Sequence, residues 1–249
     1  MSRRGLMTGI VPFLCLLCLV SLSSSASRSY AAGEQENECV ILLHGLMRTD
    51  WSMGRLASFL DDQGYAVTNL HYPSTGEPVN RVAELNVSDA VKKCEALGCT
   101  KIHFVTHSLG GIVARQYLQN HAVPRGSRMV MLAPPNGGSE IADYLEGCSL
   151  YEWITGPAGQ ELGTGEESLP NSLKPLPVEI GIIAGNFSFN PLFSLLIPGD
   201  DDGTVAVERT KLSEMKDFIV LPCSHFYIMR DEDVMAQAAH FLENGYFKR

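Results

Sequence analysis

The chain has 249 residues, of which 45% are hydrophobic and 19% charged, enough apolar material for one sizeable core and too little charge for a disordered chain. Its formal net charge of −9 excludes nucleic acid as a partner and disfavours electrostatic docking on anionic membranes. Contact with a membrane surface would have to use a local apolar patch instead.

From the N-terminus, Arg3 and Arg4 precede an uncharged apolar run over residues 5–22, followed by Ser23, Ser24, Ser25 and Ala26. The pattern predicts a secretory signal peptide over residues 1–32 and an exported protein, periplasmic or secreted. Small residues at Ser24 and Ala26, or at Ser29 and Ala31, both suit cleavage. An uncleaved membrane anchor is the alternative, against which Pro12 interrupts the run. Export leaves Cys39, Cys94, Cys99, Cys148 and Cys223 in an oxidising compartment. Cys94 and Cys99 are near enough in sequence to suggest a disulfide, though buried small residues would read the same way. No cysteine spacing suits zinc.

In the remaining domain, residues 33–249, a buried strand is expected at 39–43, a helix at 51–60 ended near Gly64, and a strand at 65–70. A helix follows at 82–97, stopped by Gly98, then a strand at 101–106 and a helix at 112–119. Further strands are expected at 129–132, 179–184 and 218–221, and a closing amphipathic helix at 233–242. Such alternation implies a mostly parallel central sheet with helices on both faces. Residues 138–177, rich in Gly, Pro, Ser and acids with a weak helix signal at 140–145, read as a lid or cap insertion.

The strongest chemical signal is the apolar strand at 101–106 running into His107-Ser108-Leu109-Gly110-Gly111. A strand, an abrupt turn with Ser108 at its apex and glycines opening a helix make a nucleophile elbow. Small neighbours are required because the turn brings strand and helix backbones close together. Thr106 stands where the pattern usually has glycine, which predicts a slightly tighter elbow.

A neutral serine needs a base within hydrogen-bond reach and a carboxylate to orient that base. In elbows of this kind the chain order is Ser, acid, His. His44 and His107 belong to motif backbones, His71 and His103 sit on or beside strands, His121 ends a helix and His240 lies inside one. His225, in a loop between the last strand and the last helix, is therefore the expected base. For the acid, Asp200, Asp201 and Asp202 precede Gly203; position alone does not choose among them, and such a run also suits a solvated turn. Oxyanion donors are expected from the backbone N–H of Leu109 and, after the first strand, of Leu46 in His44-Gly45-Leu46.

At these residues the chain resembles the α/β-hydrolase superfamily, particularly small bacterial triacylglycerol lipases and related esterases. Val40-Ile41-Leu42-Leu43-His44-Gly45-Leu46 is similar to their oxyanion loop, and Leu132-Ala133-Pro134-Pro135-Asn136-Gly137-Gly138-Ser139 to a loop of lipases and lipid deacylases. Asp201-Asp202-Gly203-Thr204-Val205 is similar to their Asn-Asp-Gly-x-Val acid motif, and this resemblance selects Asp202. Some of those lipases bind calcium through an aspartate two positions after the catalytic histidine; here that position is Tyr227, so no metal and no cofactor is expected. The resemblance implies a lipase or esterase acting on a small-molecule or lipid ester. An acyltransferase or thioesterase using the same residues, or an inactive fold relative that binds lipid or a partner, are the competing readings.

Overall fold

The computed structural model describes residues 37–249; the segment read as a signal peptide, with Cys15 and Cys18, lies outside the described residues. Strand β1, Glu38–Leu43, is buried from Cys39 onward, as an unbroken apolar run demands when both faces of a sheet are covered. A single 3₁₀ turn at Asp50–Met53 leads into helix α1, Gly54–Asp62, and strand β2, Ala66–Leu70. The next helical stretch starts earlier than its pattern suggested. It runs from Val79–Val82 through a π-type turn at Ala83–Val87 into helix α2, Ser88–Ala96, before Gly98 ends it at φ 70°. Strand β3, Lys101–His107, is followed directly by helix α3, Leu109–Leu118. Strand β4, Arg128–Leu132, precedes the insertion; strands β5, Glu179–Gly185, and β6, Asp217–Leu221, follow it.

The insertion holds more regular structure than the sequence suggested. Helix α4, Glu140–Tyr144, matches the weak signal, but a second helix, α5, Ser149–Gln160, was not expected. Gly156, at φ 61°, kinks α5 just before Pro157, and that Gly-Pro pair erased the helical signature from the sequence. Helix α6, Glu232–Asn244, closes the chain.

The six strands pair in the order β2-β1-β3-β4-β5-β6, every pair parallel. This is the α/β-hydrolase fold. Alternate residues of β1 feed two cores: Cys39, Ile41 and Leu43 join the side chains of α2 and α3, while Val40 and Leu42 join those of α1 and α6. The strand order reverses between β1 and β3, and ligands of open parallel sheets collect at the C-terminal ends of such a switch point. There Leu43 lies opposite Thr106, so the loops beginning at His44 and Ser108 leave the sheet side by side.

The disulfide joins Cys39 to Cys99, with Cα atoms 5.8 Å apart, and Cys94 is a free buried thiol. The suggested Cys94–Cys99 pair is thus corrected. Register decides the matter: β1 places Cys39 opposite Ile102, three residues beyond Cys99, whereas Cys94 faces the core from α2. Among the described residues no helix is long and apolar enough to cross a membrane.

Candidate active site

Only Ser108 separates β3 from α3. It adopts φ 52° and ψ −123°, a conformation that costs a non-glycine residue about 1–3 kcal/mol and persists where the surroundings over-determine it. The surroundings here are tight. A Cβ on Gly110 would stand 2.6 Å from the Leu43 carbonyl oxygen and 2.7 Å from that of His44; one on Gly45 would stand 2.7 Å from His107 Nδ1. Only glycines let α3 and the β1 loop meet over the serine. Thr106 is fully buried and its hydroxyl has no hydrogen-bond partner among the described residues.

The loop after β6 brings His225 to the serine, with Nε2 3.0 Å from Ser108 Oγ and Nδ1 2.7 Å from Asp202 Oδ2. An ionised carboxylate only accepts, so Nδ1 carries the proton and Nε2 offers its lone pair to the serine hydroxyl. Exposure is 7% for Ser108, 5% for His225 and 1% for Asp202, so these bonds compete little with water.

The adjacent aspartates have different tasks. Asp202 Oδ1 accepts the backbone N–H groups of Thr204 at 3.0 Å and Val205 at 2.8 Å, and the Asp202 carbonyl accepts His225 N–H at 3.0 Å. Asp201 Oδ1 instead accepts the Ser194 hydroxyl at 2.8 Å and the Gly203 N–H at 2.7 Å. Asp200 is exposed. Asp201 and Asp202 both brace the turn, and of the three aspartates Asp202 is the one that also faces His225.

Leu46 lies in a turn whose Arg48 N–H donates to the Gly45 carbonyl at 3.3 Å. Tyr72 pins this loop by donating its hydroxyl to the His44 carbonyl and stacking on the His44 ring at 4.1 Å. Leu109 opens α3, where a backbone N–H has no partner within the helix and the helix dipole favours negative charge.

Other histidines are committed elsewhere: His71 to Asp50 at 2.8 Å, His103 to Glu38 at 3.0 Å, His121 to Glu84 at 2.9 Å, and His240 to Asn244 in α6. His107 has a role that sequence reasoning missed. Its Nε2 donates to the His225 carbonyl at 2.9 Å, and burial, reinforced by the proximity of His225, holds its pKa well below the ordinary value. A neutral His107 thus steadies the base from behind. Nothing in its type or spacing distinguishes it from a motif residue.

A cavity of about 160 Å³ adjoins Ser108, walled by Leu46, Ile141, Tyr151, Leu162, Val205 and Phe226 among others. Three of these come from the 138–177 insertion, which is held at both ends. The Ser139 hydroxyl donates to the Thr204 carbonyl at 3.0 Å and Glu140 pairs with Arg209 at 2.7 Å. At the other end Arg115 donates to the carbonyls of Pro170 at 3.3 Å and Leu173 at 3.2 Å, and it also reaches Asn136 Oδ1, just before the insertion, at 3.1 Å. Burial brings the Arg115 guanidinium down to about 10.

A family model described as the alpha/beta hydrolase family matches residues 40–238. Among solved structures, the mature form of a Bacillus licheniformis lipase superposes with a TM-score of 0.69 at 18% identity, covering 84% of this chain and 93% of that one. A phospholipase of Legionella pneumophila gives a TM-score of 0.62 at 20% identity, over 83% of this chain but 57% of the other. An esterase from Exiguobacterium antarcticum gives 0.57 at 15% identity, over 84% and 92%. At these identities the likeness is one of fold.

Proposed function

We propose that this chain, which belongs to the alpha/beta hydrolase family, is a serine hydrolase of carboxylic esters working through an acyl-enzyme. The observation that carries the reading is the continuous hydrogen-bonded line from Asp202 through His225 to Ser108, at 2.7 and 3.0 Å. His225 Nε2 takes the Ser108 proton as Oγ attacks the ester carbonyl carbon, and the Leu46 and Leu109 N–H groups stabilise the resulting oxyanion. Collapse of the intermediate breaks the bond to the alkoxy oxygen, which leaves with the proton from Nε2. Water, deprotonated by His225, then attacks the acyl carbon and releases the acid and Ser108. Asp202 keeps Nδ1–H oriented and stabilises the imidazolium formed in each half-reaction.

The apolar cavity supports an acyl group as the part of the substrate that enters. Its volume, about 160 Å³, resembles that of a cavity that holds a single benzene-sized guest, roughly 150 Å³, so short acyl chains are the best fit. The Cys39–Cys99 disulfide supports an oxidising compartment, in keeping with an exported protein.

The test is labelling of purified protein with a fluorophosphonate, wild type beside Ser108→Ala, followed by hydrolysis of esters of graded chain length. Labelling and turnover by the wild type alone are expected. Turnover by clean, folded Ser108→Ala near the wild-type rate would exclude Ser108 as the nucleophile.

A further inference from the structure

Beside the acyl cavity lies a second hollow of about 580 Å³, lined by Arg48, Trp51, Phe189, Phe226, Tyr227 and Arg230. Arg48 and Phe226 line both spaces, so the hollow adjoins the mouth of the candidate active site. Its charge is unusual for this chain, in which 28 acidic residues outnumber 19 lysines and arginines. Several other arginines find carboxylates: Arg55 with Glu232 at 2.6 Å, Arg128 with Glu179 at 2.8 Å, Arg209 with Glu140 at 2.7 Å. Arg48 and Arg230 make no ion pair with any described residue.

Both guanidinium groups lie over aromatic rings instead, Arg48 5.1 Å from the centre of Phe226 and Arg230 4.5 Å from that of Trp51. Arg48 spends one donor on the Phe226 carbonyl at 3.3 Å. A guanidinium set over a ring rather than paired with a carboxylate keeps N–H donors available for a planar or tetrahedral oxyanion. Nearby acids are engaged: Glu232 with Arg55, Asp50 with His71, and Asp231 with the N–H groups of Asp233 and Val234 at the start of α6. Burial and, after it, the charge of Arg230 lower the Arg48 pKa, with Tyr227 opposing them.

We propose that this hollow is an anion subsite in which Arg48 and Arg230 hold a phosphate group on the alcohol part of the substrate, while its acyl group occupies the cavity beside Ser108. The inference rests on the Ser108 esterase reading and names its substrate class: short-chain acyl esters of a phosphorylated alcohol. Trp51 and Phe226 position the two guanidinium groups.

The experiment compares kcat/KM for dibutyryl glycerol phosphate, dissolved below its aggregation limit, with that for neutral dibutyrylglycerol, in wild type, Arg48→Gln, Arg230→Gln and Arg230→Lys. Wild type is expected to prefer the phosphorylated ester. Each Gln variant should lower the ratio by about tenfold, the worth of one charge-assisted contact in a partly exposed site, with Arg230→Lys falling between. Inorganic phosphate should inhibit hydrolysis of the neutral ester competitively, and less so in Arg230→Gln. A second arm presents the same head group on long-chain phosphatidic acid vesicles: preference for the dissolved ester identifies a soluble phosphorylated alcohol, and preference confined to vesicles a lipid head group. Turnover of the neutral ester with a ratio near one in all four proteins, dissolved and on vesicles, overturns the subsite and leaves the esterase reading standing. Absence of turnover on both esters together with absence of fluorophosphonate labelling overturns the esterase reading itself.

Discussion

Replacing Asp202 with Asn tests whether this residue orients the base. Its Oδ1 holds two backbone N–H groups, at 3.0 and 2.8 Å, and its Oδ2 holds His225 Nδ1 at 2.7 Å. An amide has one oxygen, and it can face either the two N–H donors or the imidazole. Turning it to the imidazole would leave two buried backbone donors unsatisfied, at about 1–3 kcal/mol each, so the oxygen stays on Thr204 and Val205. The amide NH₂ then faces His225, Nδ1 must accept, and the ring proton moves to Nε2. Nε2 becomes a donor aimed at Ser108 and can no longer take the serine proton. In other serine triads this wrong tautomer costs about 10⁴-fold in kcat, roughly 5.4 kcal/mol of barrier, and the same magnitude is expected here.

The assay is kcat on p-nitrophenyl butyrate, with thermal melting as the control for folding. Asp202→Asn should melt close to wild type, because both backbone contacts survive. Asp201→Asn is the internal control: its amide oxygen can keep the Ser194 hydroxyl and the Gly203 N–H, so kcat should stay within about threefold of wild type. An Asp202→Asn enzyme within tenfold of wild type, or an Asp201→Asn enzyme as crippled as Asp202→Asn, would refute the tautomer argument.

Removing the disulfide with Cys39→Ala and Cys99→Ala opens a loop with a sequence separation of 60 residues. Loop entropy predicts about 4 kcal/mol, of which roughly 2–4 is usually measured; denaturant melts that coincide for the oxidised wild type and the double variant would contradict it. In Gly110→Ala the new Cβ would meet the Leu43 carbonyl oxygen at 2.6 Å, so about 1–3 kcal/mol of stability should be lost along with most of kcat as the oxyanion loop shifts. A fully stable, fully active Gly110→Ala protein would mean that α3 and the β1 loop do not meet as described. Tyr151→Ala removes a wall of the acyl cavity and should shift the ratio of decanoate to butyrate hydrolysis upward by roughly tenfold. An unchanged ratio would place the acyl group elsewhere.

What could be read from the sequence follows how locally each feature is encoded. The strand at 39–43 was legible because burial on both faces of a parallel sheet favours an unbroken apolar run, the strand at 101–106 because it runs into the elbow although His103 and Thr106 are buried in it, and Gly98 marked its helix end by a positive φ. The start at Val79 of the helical stretch leading into α2 was not, because the π-type turn at Ala83–Val87 breaks the 3.6-residue rhythm between them. The disulfide misled because nearness in sequence stood in for nearness across strands. Ser108 and His225 stood out because their residue types and chain order suit nucleophilic catalysis. Asp202 needed the family resemblance, since the three aspartates differ only in what each oxygen touches. His107, Arg48 and Arg115 carried no pattern at all; their contacts arise from burial and from partners up to 178 residues away.

The insertion that walls the cavity is also mechanically joined to the acid. Thr204 donates its N–H to Asp202 Oδ1 and accepts the Ser139 hydroxyl on its carbonyl, so one residue serves both the candidate acid and the first turn of the insertion. Arg209 reinforces the joint by pairing with Glu140 and donating to the Gly137 carbonyl at 3.2 Å. Packed interiors transmit small displacements rather than absorb them. A substrate too long for the cavity would press on Ile141, Tyr151 or Leu162, in the insertion whose first turn is tied to Thr204 through Ser139. A shift of the insertion at Ser139 would act on the residue that holds Asp202, so poorly fitting esters are expected to lose kcat as well as affinity.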